Sequence, residues 1–306
     1  MQHHPVTTPF FLSYPDDIFD MMEYRYKHDH LSTPGAPVMN RKHAIIGCIA
    51  AVCFSLLLTC TESVAPFLIS DSEEVQLGKK FKAEIVSDTA TYPPFHGDAR
   101  ISNYVDSLGH IISNAQKDRD TLTFTFTIIA KDEINAFAIP GGHVFVYTGL
   151  LKSAASGAEV AGVLAHEIGH ITKYHGRNQL LKQSAVGYVN SILFGDSSSI
   201  AGAVAGLLEN MVFLSFSRDN EYQADSCAVA YATMAGINPA GMELFLKKLK
   251  DKYGDDPPIF EPFSTHPPTS ERIDRVDKLI NSLSGAKMGS DEKMFTNEYA
   301  VIKGLL

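Results

Sequence analysis

The stretch AGVLAHEIGHITKYHGR, residues 161–177, decides how this chain is read. As a helix it sets His166 and His170 one turn apart on one face, so both imidazoles can reach a single ion. Glu167 then projects beside that ion, placed to handle a water proton. A run of this form also arises by chance in a chain with 12 histidines, so the surroundings have to decide. Ser156 and Glu159 form a capping box at the helix start, and Gly176 marks its end. Val160, Val163, Leu164 and Ile171 supply the apolar positions of a buried helix.

A catalytic zinc takes three protein ligands and keeps a position for water. One class of zinc protease takes its third histidine ten positions after the first, with a glycine seven after it. Here those places hold Gly176 and Lys173, which excludes the class. His175 lies five residues beyond His170, off the shared helix face, and is assigned to the surface or to a structural duty. A glutamate on a second helix is the other arrangement, and RDNEYQADSCAVAYA, 218–232, offers one. Glu221 and Asp225 are four apart, so Glu221 could ligate while Asp225 accepts a hydrogen bond from a ligand imidazole. Two acids at that spacing also describe an ordinary solvated face. Arg218, one turn before Glu221, is expected to pair with the site carboxylates.

The whole chain narrows the options. Its 306 residues are 45% hydrophobic and 20% charged, which suits a globular protein and not a polytopic membrane protein. A net charge of −9 with no basic block argues against nucleic acid. Of the four cysteines, Cys48, Cys53 and Cys60 share one apolar run, leaving Cys227 as a small core residue and no disulfide framework. That run, AIIGCIAAVCFSLLLTC at 44–60, follows Arg41, Lys42 and His43 and fits a secretory signal or an anchor. Residues 1–38 carry no periodicity and read as a disordered or untranslated extension, with Met39 the expected start and 39–60 the signal or anchor segment. LLLTC resembles a bacterial lipoprotein signal, so Cys60 is the expected lipidation site, with an uncleaved anchor or complete removal as alternatives. Each places residues 61–306 outside the cytoplasm.

Within 61–306, helices are expected over 71–88 with Ser72 as its cap, 99–116, 219–236, 239–253, and from Ser270 onward. In the second helix Ile101, Val105, Leu108, Ile111 and Ile112 fall at helical spacing. TLTFTFTIIA, 121–130, alternates as a strand does. INAFAIP and HVFVYTGLL flank Pro140-Gly141-Gly142 and read as two strands joined by a tight turn. The segments 183–194 and 197–217 read as packed helices. A small sheet among many helices gives an α+β single domain.

These stretches together resemble the gluzincin zinc metallopeptidases related to HtpX and the CAAX prenyl protease, and most of all their bacterial periplasmic lipoprotein branch, proteases that assist outer-membrane barrel assembly. INAFAIPGG with TGLL, VLAHEIGHITKYH, SRDNEYQAD, AGINP and THPPTSERI carry the likeness. The N-terminal extension, the imperfect lipoprotein signal and the lack of a tetratricopeptide-like module depart from it. The resemblance implies a mostly helical zincin-like α+β domain with one Zn2+ held by His166, His170 and Glu221, and Glu167 as general base. It implies that Asn135, Ala136, Phe137 and Ala138 form an edge strand that aligns an extended peptide. His266 is placed near the metal, either stabilising the oxyanion or acting as a fourth ligand that holds the enzyme latent. The implied role is quality control of misfolded or stalled envelope proteins, on a membrane-anchored protease facing the periplasm. The implied partners are unfolded or misassembled proteins and outer-membrane assembly machinery. The rival is a zinc-stabilised assembly scaffold, which would need no general base.

Overall fold

The centre of the molecule is a short strand, β3 (His143–Tyr147), with every residue buried. In the computed structural model, which describes residues 69–183, 216–255, 266–283 and 293–306, β3 lies between β1 (Thr125–Ile129) and β2 (Ala136–Ile139) in the order β1-β3-β2. It pairs parallel with β1 and antiparallel with β2. The β2–β3 turn uses Gly141 and Gly142 at φ 85° and 94°, a region closed to most side chains. Alternation along β3 sends Val144 and Val146 to one core cluster and Phe145 and Tyr147 to another. Both faces are therefore covered, which is why the strand reads as a continuous apolar run.

One face carries α1 (Asp71–Ser87), whose Leu77, Phe81 and Ile85 meet Phe137, Phe145 and Tyr147. Its cap is Ser70 and not Ser72: Ser70 sits in extended backbone, and Glu73 three residues on closes the reciprocal capping box. The other face carries α2 (Ala99–Ala115), the short α3 (Thr148–Ser153), α4 (Gly157–Thr172), α6 (Arg218–Met234), α7 (Ala240–Tyr253), α8 (Ser270–Ser282) and α9 (Thr296–Lys303). The helix α5 (His175–Gln183) follows α4 directly. The architecture is the α+β, mostly helical one expected.

Several local expectations change. Residues 148–151, expected to extend the strand, turn into α3 instead. Ile111 is 51% exposed while Ile101, Val105, Leu108 and Ile112 are buried, because position 111 falls past the edge of the apolar stripe. Helix α9 was not anticipated; its Tyr299 is fully buried and its hydroxyl donates to the Leu151 carbonyl. The helix of residues 157–172 does not end at Gly176. It stops at Thr172, and Tyr174 at φ 60° turns the chain into α5.

A buried ionic clamp fixes α1 to this corner. Glu74 accepts from Arg119 at 2.9 Å, from Arg177 at 3.2 Å and from the Gly141 amide at 3.3 Å. The Tyr174 ring lies against both guanidinium groups, 4.4 Å from Arg119 and 3.8 Å from Arg177. Among the described residues no helix is long and apolar enough to cross a membrane. Cys60, the 39–60 segment and residues 184–215 of the two expected helices lie outside the described residues. Cys227 is buried and free, as a core cysteine should be.

Candidate metal centre

Helix α4 is buried along its whole length, capped by the Ser156 hydroxyl, which accepts from the Glu159 amide. It can sit so deep because glycine opens its faces. A Cβ at Gly169 would lie 2.8 Å from the Cβ of Cys227 and 3.2 Å from Ala224 on α6. That close approach of α4 and α6 carries Glu221, one turn before Ala224, up to the two histidines.

His166, His170, Glu221 and His266 bring one donor atom each to within 4.8 Å of one another, all four residues buried. The Nε2 atoms of His166 and His170 are 3.0 Å apart, and Glu221 lies 3.5 and 3.4 Å from them. The Nδ1 of His266 is 2.9 Å from Glu221 Oε1 and 3.4 Å from His166 Nε2. Four donors about 2.0–2.1 Å from one ion in a tetrahedron stand roughly 3.3–3.4 Å apart, close to the 2.9–3.5 Å separations here.

Charge gives a second test of fit. Glu167, Glu221 and Asp225 are three buried carboxylates, and Arg272 is the buried guanidinium beside them. Arg272 forks onto Asp225 at 2.8 and 2.7 Å and reaches Glu221 Oε2 at 2.8 Å. With the imidazoles neutral, as metal ligands must be, two negative charges stay uncompensated, the amount a divalent cation supplies. Among the described residues both oxygens of Glu167 are buried with no hydrogen-bond partner, an arrangement that is costly unless something is meant to meet them. Its Oε1 lies 3.8 Å from His266 Nε2. The residues fit a bound metal.

The charged groups tune one another. Burial pulls the His166 ring down, but Asp225 and Glu221 beside it prevail and hold it up at about 9. Asp225 Oδ1 stands 3.0 Å from His166 Nδ1, as a carboxylate backing a ligand would. Burial pulls His170 well below its usual range, Glu221 notwithstanding. Burial pushes the Glu221 carboxyl up, yet His266 and Arg272 carry it well below the carboxylate range.

The structure brings together His166, Glu167, His170, Glu221, Asp225 and His266. It does not bring in Arg218. That side chain is exposed at the start of α6, with Tyr222 and Glu271 among the groups its charge influences, and Arg272 of α8 takes the expected ion pairs instead. At the open N-terminal end of α6 Arg218 stays in solvent, while the buried guanidinium of Arg272 already occupies Glu221 and Asp225. Arg272 lies within the THPPTSERI stretch but carries no helical spacing to the acids, so only the fold reveals it. Its Nη1 also donates to the Pro267 carbonyl at 3.0 Å, tying down the loop that bears His266. His175, expected at the surface or in a structural role, is buried with its Nδ1 2.9 Å from His170 Nδ1. Phe216 stacks on the His170 ring, centroids 4.1 Å apart.

Ala136, Phe137 and Ala138 lie in β2, and Asn135 precedes it, its carbonyl accepting from the Tyr147 amide. β2 is an edge strand of the sheet, with no strand on its outer side among the described residues. Ala138 and Ile139 line the same small cavity as His170 and Phe216, so this edge runs past one of the candidate ligands.

Known proteins resemble this chain. The beta-barrel assembly-enhancing protease of Escherichia coli K12 is 29% identical over 242 residues, 74% of this chain and 48% of that protein. Its Yersinia pestis counterpart is 31% identical over 205 residues, 62% of this chain and 41% of that one. The metalloprotease LoiP of E. coli is 26% identical over 239 residues, 76% of this chain and 90% of LoiP. The chain thus spans about half the length of the beta-barrel assembly-enhancing proteases it matches. The family model for peptidase family M48 matches residues 100–280, and with more than half its length covered, the chain belongs to that metallopeptidase family.

Proposed function

We propose that this protein is a zinc-dependent endopeptidase that hydrolyses peptide bonds of misfolded or stalled cell-envelope proteins. The observation that carries the reading is the Glu167 carboxylate, buried and unpartnered beside four converging donors. His166, His170 and Glu221 would hold the ion. Zinc there supplies Lewis acidity toward a peptide carbonyl and toward water. Glu167 takes the proton from the attacking water and hands it to the leaving amine. The edge of β2 holds an extended chain by main-chain hydrogen bonds, a sequence-tolerant way to accept unfolded protein. His266 is the latent-state donor: its Nδ1 stands among the ligand atoms, so it must withdraw before substrate enters. Anchoring through the segment 39–60, by a lipid on Cys60, would put the domain at the periplasmic face of a membrane. The names of the E. coli and Yersinia relatives support work beside outer-membrane assembly machinery. A zinc-stabilised scaffold is the second reading, disfavoured because binding alone has no use for Glu167.

The test compares the full chain with Glu167→Gln for bound zinc and for cleavage of casein. About one zinc in both, with cleavage reduced about 10²–10⁴-fold in the variant, is the expected result. Zinc in both and cleavage in neither favours latency or the scaffold, and zinc in neither overturns the proposal. His266→Ala is then expected to cleave faster than wild type. A large fall in kcat would instead make His266 the oxyanion donor, and no change would remove it from the site.

A further inference from the structure

The two histidines of α4 are backed in different ways. Behind His166 stands a carboxylate, Asp225, itself locked by Arg272. Behind His170, among the described residues, stands a second imidazole instead of a carboxylate. Its Nδ1 meets the Nδ1 of His175 at 2.9 Å, and the other nitrogen of His175 lies 3.2 Å from the Gln223 carbonyl oxygen. Hydrogen-bond chemistry gives this row one direction. The Gln223 oxygen only accepts, so His175 Nε2 carries the hydrogen and, in the neutral ring, His175 Nδ1 presents a lone pair. His170 must then donate from Nδ1, which leaves its Nε2 lone pair facing His166, Glu221 and His266. Reversing the row would place a hydrogen on His170 Nε2 and bar it from any metal. Phe216, stacked on the His170 ring, holds the plane while the row holds the tautomer.

We propose that His175 is a positioning residue that, with Gln223, fixes His170 in its metal-binding tautomer through a neutral row. The proposal rests on the zinc reading above. The placement depends on the corner at Tyr174, since a continued helix would rotate the fifth residue away from His170. His175 is buried, whereas Gln223 is exposed and both border an open polar recess of about 140 Å3. Water can therefore stand in for Gln223 but not for the His175 ring, and the two residues should differ in weight.

The test uses the full chain, with zinc affinity measured by chelator competition and the ring nitrogens of His170 read by 15N NMR, assigned against His170→Gln. His175→Leu keeps the space dry and removes the acceptor. It is expected to weaken zinc binding 10–100-fold and to leave His170 a mixture of tautomers in the metal-free chain. His175→Asn sets a carbonyl oxygen where Nδ1 stood and is expected to restore affinity to within about threefold, because the acceptor is what matters. Gln223→Leu is expected to fall between. Leu and wild type binding zinc equally would overturn the proposal, as would a wild-type His170 with its hydrogen on Nε2. A rescue that fails in Asn while thermal stability matches wild type would also overturn it. Should the Leu variant not fold, the wild-type tautomer and the Asn and Gln223 variants still decide. A hydrogen on Nδ1 in a wild-type chain that takes up no zinc would uphold the row and sink the metal reading.

Discussion

Two buried ionic clusters sit a few residues apart along α4 and α5, and they are built to opposite ends. In the clamp, Glu74 and Asp71 face Arg119 and Arg177, two charges against two, and Glu74 has three donors. In the metal centre three carboxylates face Arg272, and the Glu167 oxygens have no donor. The first balances charge for charge and fastens α1 to the corner of the molecule. Exposed Asp71 stands at its rim, and Nε and Nη2 of Arg177 are left without a hydrogen-bond partner among the described residues. The second is left short of positive charge, and its unmet groups are acceptors. Buried charge is costly unless paired, so a cluster kept short of positive charge at the core suits a cation, as the proposed function requires.

The largest effect should come from Arg272→Met, which strips the partner from both Asp225 and Glu221. A loss of about 3–5 kcal/mol in urea unfolding is expected without added metal. Arg177→Met should cost less, about 1–3 kcal/mol, since Glu74 keeps Arg119 and Gly141. Equal losses would break the contrast between the clusters. Zinc at 100 times its dissociation constant should stabilise wild type by about 2.7 kcal/mol, read by thermal unfolding. The same gain should persist in Arg177→Met and vanish in His166→Ala.

A third buried group, His143, separates charge shortage from burial alone. Burial, then Lys82 and Lys79, lower it to about 4. The Thr125 hydroxyl, accepting from Lys82 at 3.0 Å, donates to its Nδ1 at 2.8 Å. The folded chain resists the proton that the unfolded chain takes up, so stability should fall as pH drops from about 6.5 to about 4 and flatten below. His143→Gln should remove about 1–3 kcal/mol of that dependence, measured by unfolding across the range. The smallest effect belongs to Arg218→Ala, expected within about 0.5 kcal/mol and with unchanged zinc affinity, as for an exposed side chain.

How much of this was legible follows from periodicity. His166, Glu167 and His170 on one helix, and Glu221 with Asp225 on another, are pairs whose spacing is itself geometry. The alternation in 121–130 and the glycines after Pro140 gave the sheet in the same way. Arg272 and His175 escaped because their roles depend on contacts between elements. Arg272 crosses from α8, and His175 works only because α4 breaks before it. Arg218 stands one turn before Glu221, yet spacing within one helix cannot show that a guanidinium from α8 already holds the carboxylates. Ser72 is the expected cap, yet Ser70 takes that place because it stands three residues before Glu73 and completes the capping box.

The corner at Tyr174 has a consequence for how the site comes apart. A ligand's support is usually borrowed from a distant segment, so ligand and support can separate by small opening motions. Here His170 and its acceptor are five residues apart in one continuous stretch, and Tyr174 between them is pinned by two arginines. Ligand and support thus belong to one cooperative unit. Amides around 170 and 175 should exchange with deuterium at a common rate, and that rate should rise together when the clamp is cut.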